Sequence, residues 1–522
     1  MAGADRGSDD SGRVTGLAAG SPVVDAYTAA EARFNRRRQA VGLFLGPILF
    51  VVVLLVPMPA LSAPAHRLAA VFAFVVVYWV TEAAPMAATA VAGPVLAVLL
   101  QVAPARQVLA PFADPIIFLF IGSFMLAEAM FVHGLDRRIA FTALSLRWVG
   151  RSPFRVVVAF GLVSTVLSMW ISNTATAAMM LPIALSVVSH LRGTHANAGR
   201  DVGRFALAMM LMTAYGASIG GIATPVGTPP NLIGIALFER ATGTHISFFS
   251  WMVLGVPVTA SMFALMAGYF WLTCLKGTTL TMGRAGFVVE ELRRLGPPTR
   301  GQRNVLAAFA LTVALWLTPG VLAVAGLGDS RAAAVFGASV PEAAAALIGA
   351  LLLFVLPIDW PSRRFTLTWE EAVRIDWGIV LLFGGGLALG GLTFTTGLAE
   401  AAGRGLFAWM PVQSSLAFTA IFTALGSSIS EVASNTASAT MIIPIAIGVS
   451  QAAGIDPVAP VLGVTLAASM AFMMPISTPP NAIVYSSGYV PITAMIRHGI
   501  VLDIVGFFVI VVLVMALGGL LA

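Results

Sequence analysis

The chain of 522 residues is short of charge, nearly devoid of lysine and carries a single cysteine. Asp, Glu, Lys and Arg together make up 10% of it, against roughly 25% in an ordinary soluble protein. That deficit excludes a string of soluble domains, whose surfaces so few ionisable side chains could not cover. One cysteine, Cys274, excludes an intramolecular disulfide and leaves the redox compartment open. Lysine is confined to Lys276, and the arginines that supply the rest of the formal charge of +6 are scattered among loops. Nucleic acid is therefore not an expected partner, since arginine clusters beside apolar spans are better explained by membrane topology. Histidines 66, 133, 190, 195, 245 and 498 lack metal-ligand spacing. No His-Glu-x-x-His site and no nucleophile with its base is present, so an intramembrane hydrolase is not indicated. Gly384-Gly385-Gly386 lacks a phosphate-loop lysine and reads as close helix packing. Neither an enzyme nor a bound cofactor is expected.

What remains is apolar. The chain is 58% hydrophobic, and its apolar segments have the length of membrane helices, about 20 residues. They fall at about 41–61, 68–84, 86–104, 115–132, 154–191, 205–238, 250–273, 305–326, 342–357, 377–397, 414–451, 458–490 and 499–521. The fold class is an all-α polytopic membrane protein embedded in the lipid bilayer of the cell membrane. Residues 1–40 read as a disordered cytosolic tail ending in Arg36-Arg37-Arg38. With the N-terminus inside, and with 154–191 and 414–451 each entering and leaving on one side, 24 basic residues collect inside and 5 outside. That asymmetry is the positive-inside pattern. It predicts eleven spans with the C-terminus outside.

The two exceptional segments are each 38 residues long, too long for one span and slightly short for two. A helical hairpin that dips in and returns fits both, one from each face. Their centres repeat. Ser168 precedes Ser172-Asn173-Thr174 by four residues, as Ser430 precedes Ser434-Asn435-Thr436, and Pro182 and Pro444 follow each Asn by nine. A second pair follows in the same order: Gly227-Thr228-Pro229-Pro230-Asn231 and Ser477-Thr478-Pro479-Pro480-Asn481. Hairpins entering from opposite faces make the halves an inverted repeat, a ground plan of secondary transporters. The expected organisation is the tail at 1–40, a first span plus first repeat over 41–273, a cytosolic linker at 274–304 and the second repeat over 305–522.

The chemistry follows from these positions. Pro-Pro cannot continue a helix, so each pair splits a span near mid-membrane, where irregular backbone is tolerated only around protein or a cavity. Ser-Asn-Thr places hydroxyls, a carboxamide and a helix N-terminus at one point. Helix N-termini attract anions, while carbonyl and hydroxyl oxygens suit a small hard cation. A lone Ser-Asn-Thr in a membrane helix is more often a packing motif; its duplication in register is what favours a binding site. No Lys or Arg lies there, so dipoles and amides would hold the anion. Glu431 adjoins the second motif and either orients it or faces solvent. Glu82 and Glu128 read as structural, pairing a helix end or an arginine.

The run Ser168-Met-Trp-Ile-Ser-Asn-Thr-Ala-Thr resembles the divalent anion/sodium symporter family, which includes the sodium-dicarboxylate and sodium-citrate cotransporters. Thr81-Glu82-Ala-Ala-Pro85, His133-Gly-Leu-Asp-Arg-Arg138, Leu382-Phe-Gly-Gly-Gly-Leu387 and both Thr-Pro-Pro-Asn motifs strengthen the likeness, which runs from about residue 41 to the end. The resemblance implies eleven spans with two re-entrant hairpins, a homodimer and an elevator-type movement. By motif, it implies a first sodium site at Ser168, Ser172, Asn173 and Gly227, and a second at Ser430, Ser434, Asn435 and Ser477. Substrate carboxylates would meet Asn173, Thr174, Thr228, Asn435, Thr436 and Thr478. Ser430 and Ser477 stand where many relatives have Thr and Ala. The function implied is sodium-coupled import of C4-dicarboxylates such as succinate, malate or fumarate. A sulfate-type oxyanion carrier and a sodium-independent dicarboxylate exchanger are the alternatives.

Overall fold

The computed structural model describes residues 22–521 apart from 147, 195–197, 281–285 and 410–413. The chain is almost wholly helical, with one short antiparallel strand pair, Pro357–Asp359 with Arg364–Phe365, among the described residues. Helices dominate because a bilayer offers backbone amides no water, so each must bond within its own segment. Nine helices among the described residues are long and apolar enough to cross a membrane, or up to 10 counting the bent pair Arg331–Ser339 and Glu342–Val355 as one span.

The first helix, α1 (Pro22–Leu55), corrects one expectation. Residues 1–21 of the supposed disordered tail lie outside the described residues, but 22–40 are helical. Ala, Glu and Arg, which fill much of this stretch, are good helix formers, and no breaker separates them from the apolar run that follows. Arg38 then reaches Glu82 at 2.8 Å, so Glu82 does pair with an arginine.

Among the helices that follow, two sets of eight recur in the same order, with shorter helices between them. The first is α2 (Ala63–Thr81), α3 (Met86–Leu99), α4 (Pro115–Val132), α5 (Pro153–Ser168), α6 (Asn173–Thr194), α7 (Gly199–Gly221), α8 (Pro229–Thr242) and α9 (Phe248–Phe270). The second is α10 (Arg300–Val324), α11 (Glu342–Val355), α12 (Trp377–Thr396), α13 (Ser415–Ser430), α14 (Asn435–Ala452), α15 (Val458–Ala467), α16 (Pro479–Tyr485) and α17 (Ile492–Leu517). Within a set, α5 and α6 pack on α7 as α13 and α14 pack on α15. Between sets the partners are exchanged: α4 packs on α11 and α3 on α12, while α8 packs on α14 and α15, and α16 on α6 and α7. Each half supplies the partner that the corresponding helix of the other half needs.

The glycines of α12 allow this exchange. A Cβ added at Gly385 would lie 2.0 Å from the Ala90 carbonyl oxygen of α3, and one at Gly386 2.8 Å from Thr440 of α14. The Gly-Gly-Gly run is thus a close-packing surface, as its lack of a lysine implied. The breaks that matter lie at 169–172, 222–228, 431–434 and 468–478, each between two helices of one set.

Candidate functional site

In the first half, α5 stops at Ser168 and α6 starts at Asn173. Ser168 is fully buried, and its hydroxyl donates to Asn173 Oδ1 at 2.7 Å. Ser172 Oγ accepts from the Ala175 amide at 3.2 Å, satisfying one of the free N–H groups at the start of α6. The segment beyond α7 closes on this turn. Thr224 donates its hydroxyl to the Met169 carbonyl. A Cβ built on Gly221 would sit 2.5 Å from Asn173 Oδ1 and 3.1 Å from the Gly227 carbonyl. Ser168, Asn173, Gly221 and Gly227 are therefore brought together, with hydroxyl, carboxamide and carbonyl oxygens in one small space. Asn231 staples the segment shut, its Nδ2 donating to the carbonyls of Gly221 at 2.9 Å and Thr224 at 2.8 Å.

The second half repeats the arrangement. Ser430, fully buried, donates to Asn435 Oδ1 at 2.8 Å and to the Ala468 carbonyl at 2.6 Å. Ser434 Oγ accepts from the Ala437 amide at 3.2 Å and lies 3.2 Å from Met86 Sδ at the start of α3. Asn481 Nδ2 donates to the carbonyls of Ala471 and Met474, both at 3.0 Å. In both halves Thr-Pro-Pro does not interrupt a helix from within. The threonine is an extended cap, and the prolines are the first residues of α8 and α16, where a fixed φ and a missing N–H cost nothing.

Not every expected residue behaves alike. Thr228 and Thr478 are buried, and Thr478 Oγ1 has no hydrogen-bond partner. Thr436 is buried as well, whereas its counterpart Thr174 is exposed. Asn173 and Asn435 are both half-buried. Ser477, placed by motif in the second sodium site, turns its hydroxyl to Glu431, 2.9 Å from the carbonyl and 2.7 Å from Oε2. Because α16 lies on α6 and α8 on α14, each Thr-Pro-Pro-Asn half-helix runs along the Ser-Asn-Thr helix of the other half. None of the ion pairs described involves a residue of either turn.

Glu431 settles an alternative that the sequence left open. It is 4% exposed and accepts from the Met473 amide at 3.0 Å as well as from Ser477, so it orients the turn rather than facing solvent. Asp503 on α17 was missed altogether. The signal was available, since it is the only acidic residue of the apolar segment 499–521, and an intramembrane ionisable residue marks function by default. The capping roles of Asn231 and Asn481 were likewise not legible from spacing.

The family model of the sodium:sulfate symporter transmembrane region matches residues 37–522. The chain is 33% identical over 481 residues to the sodium-dependent dicarboxylate transporter SdcS of Staphylococcus saprophyticus, covering 91% of each. It is 32% identical over 481 residues to the transporter of the same name from Staphylococcus aureus, covering 91% of this chain and 90% of that one. Among solved structures the YdaH transporter of Alcanivorax borkumensis is similar in fold, with a TM-score of 0.51 and 13% identity over 77% of this chain and 85% of that one. The chain belongs to the sodium:sulfate symporter family, and is a multi-pass membrane transporter rather than an enzyme.

Proposed function

We propose that this transporter couples inward sodium flow to the uptake of C4-dicarboxylates such as succinate, malate and fumarate. The observation that carries the reading is the duplicated oxygen cradle: Ser168 on Asn173 in one half and Ser430 on Asn435 in the other, each at a helix N-terminus. The free amides of α6 and α14 would bind the substrate's carboxylates, helped by Asn173, Thr174, Thr228, Asn435, Thr436 and Thr478. The oxygens behind them would hold sodium: Ser168, Ser172, Asn173 and Gly227 in the first site, Ser430, Ser434, Asn435 and Ser477 in the second. Two negative charges entering a site without a basic residue need cations to offset them, because an unpaired ion at that depth is too costly. The relatives named for sodium-dependent dicarboxylate transport favour this cargo.

The same reading sets the architecture. Segments 154–191 and 414–451 are re-entrant hairpins entering from opposite faces, and the other helices complete eleven spans. The N-terminus is cytoplasmic and the C-terminus outside, a placement that the distribution of basic residues supports. The hairpin-bearing helices α5–α9 and α13–α17 move as one body against the rest, elevator-fashion, in a homodimer. Proteoliposomes given a panel of labelled anions under imposed sodium, proton or counter-anion gradients test the function. Succinate accumulation driven by sodium supports it. Sulfate accumulation in place of succinate would make the chain the divalent oxyanion carrier that the family's description names.

A further inference from the structure

Beside the second turn lie two acidic residues, Glu431 and Asp503, without acidic counterparts in the first half. Gly499 of α17 presses against the unwound stretch that follows α15, and Gly506 lies beside it. A Cβ on Gly499 would lie 2.5 Å from the Phe472 carbonyl oxygen, and one on Gly506 3.5 Å from Met470 Sδ. Asp503, four residues after the first glycine and three before the second, shares their face of the helix. It is 9% exposed, and its carboxylate oxygens make no well-formed hydrogen bond, the Phe472 amide and the Glu431 carboxyl being the polar groups that act on it. Its neighbour there is Glu431, whose charge acts on it directly. Glu431 is already served by two donors, the Met473 amide and the Ser477 hydroxyl.

The other titratable groups near the pair supply no positive charge to it. Tyr215 on α7 donates its hydroxyl to the Phe472 carbonyl at 2.9 Å. Tyr269 at the end of α9 is hydrogen-bonded to His498 of α17 at 2.9 Å, and Arg497 acts on those two groups. Among the described residues no lysine or arginine acts on Asp503. Two adjacent buried carboxylates without a counter-charge are far too costly to stand alone. The unmet demand is that of one carboxylate, because Glu431 has its donors. It therefore calls for one positive charge, either a proton shared by the pair or a cation coordinated by hard oxygens.

We infer that Asp503 and Glu431 bracket a further monovalent cation site, facing the unwound residues 470–473 and occupied by sodium. The inference rests on the sodium-coupled reading for the identity of the ion alone. The first half has no equivalent. Gly255 of α9 approaches the Ile222 carbonyl as Gly499 approaches that of Phe472, which aligns Thr259 with Asp503. The Thr259 hydroxyl is satisfied by the Ile219 carbonyl at 3.1 Å, and Met169 and Gly227 stand where Glu431 and Ser477 do.

Equilibrium binding of radioactive sodium to the full-length purified protein tests it. Asp503→Asn is expected to bind one sodium ion fewer per chain than the wild type, and Asp503→Glu, which keeps the charge, to retain it. Helix content and elution volume of each variant are read alongside, and Asp503→Ser, equally neutral and expected to lose the same ion, carries the test should Asp503→Asn not fold. An unchanged ion count in folded Asp503→Asn overturns the inference, including the case in which the pair shares a proton instead. Sodium-driven uptake with that unchanged count leaves the symport reading standing. Loss of one ion in Asp503→Asn, in a protein that takes up dicarboxylate equally well in choline, upholds this site and removes symport.

Discussion

The two halves of this transporter share a skeleton and differ in charge. The serine-to-asparagine bond is 2.7 Å in the first and 2.8 Å in the second, and Asn231 and Asn481 staple equivalent carbonyls. Yet Met169, Gly227 and Thr259 in the first half are replaced by Glu431, Ser477 and Asp503 in the second. Backbone geometry is thus set by the repeat, because glycines, prolines and caps dictate where helices stop. Electrostatics is set locally, by side chains free to differ once the backbone is fixed.

That comparison can be broken outright by sidedness. In a Cys274→Ala background, Ser172→Cys should react with an impermeant thiol reagent best from the cytoplasm, and Ser434→Cys best from outside. Reaction of both from one face alone would end the inverted relationship. Next in size, Asn173→Ala and Asn435→Ala should each abolish measurable uptake with expression unchanged. Each loses a hydrogen bond to a charged partner worth roughly 1.5–3 kcal/mol, and the two losses should be similar; a silent variant in either half would remove that residue from the site. Gly221→Ala sharpens the contrast, because its Cβ would strike Asn173 Oδ1 at 2.5 Å. Overpacking of this kind costs about 1–3 kcal/mol, so sodium affinity measured by uptake should fall on the order of tenfold. The reverse change in the second half, Ala471→Gly, adds no clash and should stay within about twofold, since filling or emptying a single methyl there leaves the stapled turn in place. Smallest is Thr259→Ala, which removes one neutral hydrogen bond worth about 0.5–1.5 kcal/mol. It should lower thermal stability slightly and leave the sodium dependence unchanged.

Much of this was legible in the sequence, for identifiable reasons. Apolar segment lengths, Pro229-Pro230, Pro479-Pro480 and the doubled Ser-Asn-Thr fixed where helices break, since each acts through local backbone chemistry. The exchange of partners between halves was not legible, because α4 on α11 and α16 on α6 are contacts between distant segments. Residues 22–40 read as tail because their polarity hid their helix propensity. Glu431 was ambiguous because burial, which decided its role, is a property of the packed molecule. Asp503 was overlooked although its isolation in an apolar helix was visible, and only the glycine contacts of α17 connect it to the second turn.

The most direct test of the central claim, that paired oxygen cradles hold the sodium which offsets the substrate's charge, is labelled-succinate uptake into proteoliposomes as sodium is varied against choline. The account predicts negligible uptake in choline and a sigmoidal rise with sodium, because at least two cations must accompany two negative charges. Equal uptake in choline that requires dicarboxylate loaded on the far side would contradict it, and would make the chain an exchanger.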